Sequence, residues 1–278
     1  MRVGFIGLGN IGKPMAKHLA GKGFDLQVFD VFEEPVNELV SLGASAASPA
    51  NIARDCEIVG ICVRDNKDVE NLLYAEGMLE AATPDTIFAI HSTVTQAALT
   101  GWSATAKEKG IHLVDAPITG GAMGAEAGEL VYMLGGDEAI VGRLKPVFKH
   151  SAKNIVHAGE TGTGIVLKLC INMMTYSAFI AIRESQALAK AAGLEPEVLY
   201  EVGRGNGMVS DFNYRFISNR DAIFDGCDDD TVRTIFGPFG QLGEKDLDAA
   251  LQTASALGLE LPNAENSRRL ILDTFIKR

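Results

Sequence analysis

Three glycines near the start of the chain, Gly7, Gly9 and Gly12, have the order Gly-x-Gly-x-x-Gly within the stretch "RVGFIGLGNIGKPMAKHL". They follow an apolar, strand-like run and precede a helix-like segment. At such a turn the first glycine allows a tight bend, the second lets the backbone approach a pyrophosphate, and the third lets the helix pack closely. The stretch is therefore a candidate dinucleotide-binding loop, although glycine-rich turns that bind nothing also occur between strand and helix. The candidate cofactor-binding residues of the loop are Gly7, Leu8, Gly9, Asn10, Ile11 and Gly12.

An acidic residue, Asp30, ends the next strand-like run, "LQVFD", 18 residues beyond Gly12. A carboxylate at this place can accept hydrogen bonds from the ribose of an adenosine. It also repels a ribose 2′-phosphate, and the following Val31 and Phe32 supply no cation to offset that repulsion. We therefore predict NAD rather than NADP as the cofactor. The alternative role of Asp30 is to cap the helix that follows it.

Two later segments place polar groups after predicted strands, where ligands of open α/β sheets bind. "HSTVTQ" contains Ser92 and Thr93, and "DAPITGGAMGAEAGEL" contains Thr119, Gly120 and Gly121. The hydroxyl and backbone amides of the second segment could bind a carboxylate. The alternatives are helix capping by Ser92 and Thr93, and a plain flexible loop at the two glycines.

A long apolar segment, "GIVLKLCINMMTYSAFIAI", contains Lys168 and Asn172, which are four residues apart and so project from one face of a helix. A lysine in such a segment either extends to the surface or carries out a task. Burial would lower the pKa of its amine, which suits proton exchange with a carbonyl or an alcohol. The residues alone leave both roles open.

The same segment has about the length of a helix that crosses a bilayer, roughly 20 residues. The lysine and the asparagine near one end instead favour a helix buried between domains or between subunits. We therefore predict no membrane span, and we expect the chain to form a homodimer or a higher homo-oligomer.

The elements that must position these residues change character along the chain. Strand-like runs alternate with helical segments in the first half, which predicts a mostly parallel, doubly wound sheet with helices on both faces. Beyond Gly164 the pattern is helical. We predict a dinucleotide-binding α/β domain over residues 1–163 and an all-α domain over residues 164–278, joined by a long helix over residues 164–193. The predicted strands are "RVGFIG", "LQVFD", "EIVGICV", "TIFAIHS", "IHLVDAP", "LVYMLGG" and "NIVHAG".

Composition excludes several classes of partner. The 278 residues carry a net charge of −11, which disfavours nucleic acid or an anionic membrane surface. The first residues lack the order of a secretory signal, so we expect a cytoplasmic protein. The cysteines show no Cys-x-x-Cys spacing and the histidines are scattered, so we expect reduced, mostly buried thiols and no metal site. The cysteines are Cys56, Cys62, Cys170 and Cys227.

Four segments, in this order and spacing, resemble the β-hydroxyacid dehydrogenase family, and the chain is 3-hydroxyisobutyrate dehydrogenase-like over essentially its whole length. The segments are "GFIGLGNIGKPMAKHL", "DAPITGGAMGAEAGEL", "GTGIVLKLCINMM" and "EKDL". The second and third are far more specific than the first. The resemblance implies a Rossmann domain, a long interdomain helix, an all-helical second domain and a dimer or tetramer.

The resemblance also implies roles for individual residues. Lys168 is expected to be the catalytic acid/base and Asn172 to orient the substrate. The expected ligands of the substrate carboxylate are Thr119, Gly120 and Gly121. Thr93 and Lys245 match positions that approach the nicotinamide end of the cofactor. The cofactor-binding residues expected beyond the glycine loop are Asp30, Val63, Arg64, Thr93 and Lys245.

The chain departs from the family at several places. Thr119 replaces a commoner serine, Arg64 and Gln96 stand where proline is frequent, and the run before Lys245 is atypical. These departures affect contacts at the edge of the cofactor and the shape of the substrate pocket. NADP-using relatives often carry Asn-Arg after the second strand, whereas this chain has "FDVF", which agrees with NAD.

The activity expected from these residues is reversible hydride transfer between NAD and a small β-hydroxy acid or its semialdehyde or keto partner. The alternatives are an imine reductase, whose members usually replace the lysine, and a non-catalytic NAD-binding protein. Pocket residues of the second domain are harder to predict from sequence. The candidates are Ser210, Phe212 and Tyr214, with Arg204 and Arg215 for a second acidic group on the substrate.

Overall fold

The computed structural model describes residues 1–277, and the chain divides into two compact units that meet within one helix, after Lys168. The first unit contains a nine-stranded sheet. Its strands are β1 (Arg2–Ile6), β2 (Asp25–Phe29), β3 (Ser45–Ala46), β4 (Ile58–Ile61), β5 (Ile87–Ile90), β6 (His112–Asp115), β7 (Ile118–Thr119), β8 (Leu130–Gly135) and β9 (Ala152–Gly159).

Helices connect these strands. They are α1 (Gly12–Lys17), α2 (Glu33–Ser41), α3 (Pro49–Asp55), α4 (Asn66–Glu70), α5 (Met78–Ala81), α6 (Gln96–Glu108), α7 (Gly121–Ala127) and α8 (Glu138–Phe148). A π-helical turn, Asn71–Ala75, continues α4. Helix starts are set by local capping, because Ser48, Thr95 and Asp137 accept hydrogen bonds from amides of the first turns of α3, α6 and α8.

The first six strands of the sheet are parallel, in the order β3-β2-β1-β4-β5-β6. β8 follows and pairs antiparallel with both β6 and β7, whereas β9 pairs parallel with β8. This is the order of a doubly wound sheet, whose switch point lies between β1 and β4. β4 and β5 are buried at every residue because helices cover both faces. The predicted fold class is confirmed. Each of the seven predicted strands is present. The sequence did not predict β3 and β7, because a strand of two residues is too short to show an alternation of apolar and polar side chains.

The second unit is helical, and between Leu169 and Lys277 no strand occurs. Its elements are the greater part of α9 (Thr163–Ala191), then α10 (Pro196–Gly205), α11 (Asp211–Gly226), α12 (Asp229–Ala256) and α13 (Pro262–Ile276). Its core is aromatic and aliphatic. The largest buried members are Tyr176, Phe179, Tyr200, Phe224, Phe236 and Phe275.

Helix α9 is long and apolar enough to cross a membrane by length and composition alone, a test that the core helices of proteins in water also pass. Its first turn belongs to the first unit, where Ile165 is fully buried. Of the cysteines, Cys56 is buried, Cys62 and Cys227 are half-buried, and Cys170 on this helix is exposed, which departs from the expectation of mostly buried thiols. The described residues contain no cluster of His, Cys, Asp or Glu that could hold a metal ion.

Candidate active site

The glycine loop joins β1 to α1, and two of its three glycines are required by packing. Gly7 has a φ of +90°, and a Cβ added to it would overlap the carbonyl oxygen of Cys62. A Cβ on Gly12 would overlap the carbonyl oxygen of Gly7. A side chain at either position would therefore separate the loop or the helix from the sheet.

The middle glycine differs, because a Cβ on Gly9 would meet no protein atom within 4 Å. Gly9 and Asn10 are exposed, and the N-cap residue of α1, Ile11, makes no side-chain capping bond. The packing of the protein therefore does not demand glycine here, and the absence of a side chain leaves the backbone open to close approach by a bound group. The loop fits the pyrophosphate of a dinucleotide at the start of a helix.

Asp30 follows β2 and holds the glycine loop. Its Oδ2 accepts a hydrogen bond from the amide of Leu8 at 2.6 Å, and its Oδ1 accepts one from the amide of Phe32 at 2.9 Å. The N-cap residue of α2 is Phe32, which makes no side-chain capping bond, so Asp30 is not the cap of that helix. A carboxylate has about four acceptor positions, so capacity remains for hydroxyl donors.

The charges on the neighbouring helices are paired. Lys13 of α1 donates to Glu38 of α2 at 2.8 Å, and Lys17 forms an ion pair with the same carboxylate. The hydrogen bond to Glu38 raises the pKa of Lys13, and the two lysines lower the pKa of Glu38. Val31 and Phe32 are largely exposed and carry no charge.

The loops that follow β4 and β5 are tied to each other. The amide of Val63 donates to Oγ of the buried Ser92 at 2.9 Å. Arg64 is exposed and binds Asp68 through two hydrogen bonds, at 2.7 and 3.0 Å. Thr95 caps α6, so neither Ser92 nor Thr93 is the cap of that helix. Thr93 is half-buried beside Ser92.

The segment Thr119, Gly120 and Gly121 joins β7 to α7. Thr119 pairs with Val131 of β8, which fixes its backbone to the sheet. Gly120 and Gly121 have φ values of +128° and +64°, which side chains rarely adopt, so this backbone path requires glycine. Both glycines are exposed, and α7 begins without a side-chain cap. Successive amides in such a turn can bind an anion.

Asp115, which sequence reasoning did not single out, lies at the carboxyl end of β6 and is fully buried. Its Oδ1 accepts a hydrogen bond from the amide of Gly162 at 2.7 Å, and its Oδ2 accepts one from the amide of Ile165 at 2.8 Å. Burial raises the pKa of this carboxyl, and the backbone donors oppose that rise. Asp115 therefore fixes the first turn of α9, one turn before the half-buried Lys168.

Asn172, one turn beyond Lys168, belongs to a buried polar cluster of the second unit. Its Nδ2 donates to Oδ2 of Asp246 at 2.7 Å, and the hydroxyl of Tyr176 donates to the same oxygen at 2.9 Å. Nζ of Lys245 lies 3.2 Å from the other oxygen, Oδ1. Burial and the carboxylate raise the pKa of Tyr176 well above its ordinary value.

Sequence reasoning singled out Asn172 and Lys245 for separate roles, at the substrate and at the cofactor, and missed Asp246, which contacts both. Asp246 was present in the quoted segment "EKDL", which was the available signal. Asp115 was likewise present in "DAPITGG". The sequence around Asp115 and Asp246 does not indicate that their side chains are buried.

The candidate pocket residues of α10 and α11 make local contacts. Ser210 caps α11 by accepting from the amide of Asn213 at 3.1 Å. Arg204 donates to Asp211 at 2.8 Å and lies over the ring of Tyr214 at 4.8 Å. Phe212 and Arg215 are exposed. No described contact links these residues to Asn172 or Asp246, so their role in a pocket stays a prediction.

A doubly wound sheet whose first turn fits a pyrophosphate defines a dinucleotide-binding protein. Residues 2–159 match the NAD-binding domain of 6-phosphogluconate dehydrogenase. The chain is 38% identical to an NAD-dependent L-serine dehydrogenase of Pseudomonas aeruginosa over 76% of this chain and 73% of that protein. An uncharacterised oxidoreductase of Mycobacterium tuberculosis is 37% identical over 95% of this chain and 90% of that protein.

Solved structures agree with these relatives. The 3-hydroxyisobutyrate dehydrogenase of Mycobacterium tuberculosis, solved with L-serine, superimposes with a TM-score of 0.83 at 28% identity, over 97% of this chain and 92% of that one. An imine reductase of Streptomyces aurantiacus shares the fold with a TM-score of 0.67 at 19% identity, over 98% of this chain and 93% of that one. The chain belongs to the family of NAD-binding oxidoreductases that comprises 3-hydroxyisobutyrate dehydrogenase and related hydroxyacid dehydrogenases.

Proposed function

We propose that this protein transfers a hydride reversibly between NAD and a short β-hydroxy acid, with Lys168 as the general acid/base. One observation carries the proposal. The first turn of α9, which leads to Lys168, is fixed by Asp115 at the carboxyl end of β6, and the glycine loop follows the carboxyl end of the parallel strand β1. Ligands of such sheets bind at this edge.

The proposed cofactor site uses residues of the glycine loop and its supports. The amides around Gly9 face the pyrophosphate, and Asp30 accepts from the adenosine ribose while it holds the amide of Leu8. Thr93 and Lys245 are assigned to the nicotinamide end by the family resemblance, and Val63 and Arg64 are proposed as further cofactor-binding residues. When bound, NAD supplies the hydride acceptor for oxidation and the hydride donor for reduction.

Proton transfer is assigned to Lys168. During oxidation the carbon that carries the hydroxyl loses a hydride, and the neutral amine of Lys168 accepts the hydroxyl proton. During reduction the ammonium returns that proton to the developing alkoxide. A positioned acid/base typically contributes about 10²–10⁴-fold to the rate. Asn172, held by Asp246, orients the reacting group.

The substrate class follows from the carboxylate anchor. Thr119, Gly120 and Gly121 offer a hydroxyl and amides to a carboxylate, which fixes the distance from that group to the reacting carbon. The relatives are named for L-serine and for 3-hydroxyisobutyrate, which are both acids with a hydroxyl on the β-carbon. We therefore infer a short β-hydroxy acid, or its semialdehyde in the reverse direction.

NAD is proposed over NADP because Asp30 is an acidic group beside the expected ribose. The exposed Val31 and Phe32 offer no cation, and the lysines of α1 are paired with Glu38. A homodimer or homotetramer is part of the same proposal. Met174 and Leu188 on α9 are 68% and 73% exposed, and a second subunit on this helix would remove their apolar surface from water.

The test follows the absorbance of NADH or NADPH with both cofactors. The oxidation substrates are L-serine, 3-hydroxyisobutyrate, D-glycerate, 3-hydroxypropionate and 4-hydroxybutyrate, and the reduction substrate is a cyclic imine. Turnover of a β-hydroxy acid with NAD supports the proposal. Reduction of a cyclic imine with no turnover of acids would establish the imine reductase instead, and tight NAD binding without any turnover would establish a binding protein.

The proton-transfer assignment is tested with Lys168→Ala. We expect kcat to fall by about 10²–10⁴-fold while the Kd for NAD stays within twofold. Lys190→Ala, near the other end of the same helix, is the matched control and should leave kcat unchanged. A Lys168→Ala variant with near-normal kcat would overturn the assignment.

A further inference from the structure

The contact between β6 and α9 is more specific than a helix cap. Asp115 is the last residue of β6, pairs with Ile90 of β5 and is fully buried. Gly162, directly before α9, has no side chain with which to cap the helix. Both oxygens of the distant carboxylate take over that role, one on the amide of Gly162 and one on the amide of Ile165.

Two glycines make this approach possible. A Cβ on Gly135 of β8 would overlap the carboxylate of Asp115. A Cβ on Gly164 would overlap the carbonyl oxygen of Met133 and lie 2.8 Å from Oδ2 of Asp115. The carboxylate is therefore enclosed by backbone on both sides, and the first turn of α9 has no room to move toward the sheet.

Two hydrogen bonds to the start of α9 restrict its orientation more than one bond would. A single hydrogen bond to the end of a helix leaves the helix free to rotate about that bond. Bonds to two amides three residues apart fix the rotation of the first turn as well as its distance from β6. Lys168 follows Ile165 by three residues, about 4.5 Å farther along the axis, so the same two bonds set where its side chain leaves the helix.

A buried charge is an expensive way to hold a helix against a sheet. Apolar packing of Ile165 would suffice for cohesion alone. The carboxylate also fixes the orientation of the first turn, because hydrogen bonds are directional. These bonds are strong, since they are charge-assisted and lie at the positive end of a 29-residue helix.

We infer that Asp115 is a positioning residue for Lys168: its two hydrogen bonds to α9 fix the rotation and the depth at which the lysine meets the substrate. This inference rests on the proposed function of Lys168. A misplacement of about 1 Å at a reacting group can lower a rate about 10²-fold, so the loss of the bonds should appear in catalysis beyond any loss of stability.

The experiment uses Asp115→Asn in the full-length protein. Asparagine keeps the shape but has one acceptor oxygen, and its NH₂ group would face a backbone donor. We expect kcat to fall about 10–100-fold, with the Kd for NAD within twofold and KM within threefold. The primary isotope effect with deuterated substrate should rise, because proton and hydride transfer become rate-limiting.

Gly164→Ala is the second variant, since it displaces the first turn of α9 by steric overlap while Asp115 stays intact. It should give the same selective loss of kcat and the same rise in the isotope effect. Tyr132→Phe is the matched control: it removes the buried hydrogen bond to Ser151, 2.6 Å long, in the same unit without touching α9. It should lower stability and leave the kcat of the folded enzyme unchanged.

The outcomes separate the two claims. If Lys168→Ala is inactive and Asp115→Asn is less stable but keeps kcat and the isotope effect of the parent, Asp115 is merely structural and the inference is wrong. If Lys168→Ala keeps its kcat, the proposed function itself fails. If Asp115→Asn does not fold, Gly164→Ala decides, and an unchanged kcat in that variant overturns the inference.

Discussion

Asn172 and Asp246 form a buried hydrogen bond, 2.7 Å from Nδ2 to Oδ2, between residues 74 apart in the chain. Both side chains are less than one-tenth exposed. Since a carboxylate only accepts hydrogen bonds, Asp246 orients the Asn172 side chain with its NH₂ group toward the carboxylate and its carbonyl oxygen on the other side. Asp246 thus determines which end of a proposed substrate-orienting residue is available.

Removal of this carboxylate should destabilise the second unit. Asp246→Ala leaves the amide of Asn172 and the hydroxyl of Tyr176 without an acceptor, which costs about 3 kcal/mol. Unfolding in urea measures this loss. Asp248→Ala, on the same helix, is the control, because that carboxylate is half-exposed and its ion pair with Arg268 contributes less than about 1 kcal/mol. Equal losses in the two variants would contradict the burial argument.

Gly9 and Gly12 of the first loop should respond differently to substitution, because Gly9 is exposed and Gly12 is packed against the loop. Gly9→Val places a side chain where the backbone meets no other protein atom, so the unliganded protein should keep its stability while the Kd for NAD rises tenfold or more, about 1.4 kcal/mol. Gly12→Ala should lower the Tm of the unliganded protein, because the added Cβ overlaps the carbonyl oxygen of Gly7. Thermal melts with and without NAD measure both effects. A destabilised Gly9→Val variant with normal NAD affinity would refute the assigned roles.

Cofactor preference should follow the charge beside the ribose. In Asp30→Asn with Val31→Arg, the carboxylate that repels a 2′-phosphate is lost and a cation is added at a position that is 81% exposed. We expect the ratio of the Kd for NADP to that for NAD to fall by about tenfold or more. Val31→Ala is the control and should leave the ratio unchanged. Titration of protein fluorescence with each cofactor gives the ratio, and an unaltered ratio in the double variant would exclude Asp30 as its determinant.

His91 should make the first unit sensitive to acid. Its Nδ1 lies 2.8 Å from the carbonyl oxygen of Ala116, which requires that nitrogen to carry the proton, and its Nε2 is buried without a hydrogen-bond partner in the structure. The ring stacks on Phe5. Burial lowers the pKa of His91 from 6.5 to about 4, so the folded state resists protonation.

The unfolded chain binds a proton at His91 more readily than the folded chain between pH 6.5 and about 4. The contribution of neutral His91 to the free energy of unfolding is therefore fully present above pH 6.5. It falls by roughly 3 kcal/mol as the pH approaches 4. Tyr132, whose ring packs edge-on against His91, and Cys62 both stay neutral in this range, since burial raises the pKa of Cys62 to about 12 and that of Tyr132 as well. His91→Phe should flatten the dependence of Tm on pH in this window. An unchanged slope in that variant would assign the acid sensitivity elsewhere.

The sequence by itself determined the glycine loop, the seven longer strands, the helical second half and the positions of Lys168 and Asn172. These features are local: a positive φ at Gly7 needs glycine, and buried strands and apolar helices show their periodicity within a few residues. The NAD-binding fold and the family could be predicted for the same reason.

Tertiary structure decided which polar groups bond to each other. Asp115 reaches Gly162 across 47 residues, and Asp246 reaches Asn172 across 74. An aspartate in a sequence carries no sign of whether it will be solvated or buried, because burial depends on elements that pack from elsewhere in the chain. The carboxylates that hold the first turn of α9 and the amide of Asn172 therefore became visible only when sheet and helices were in place.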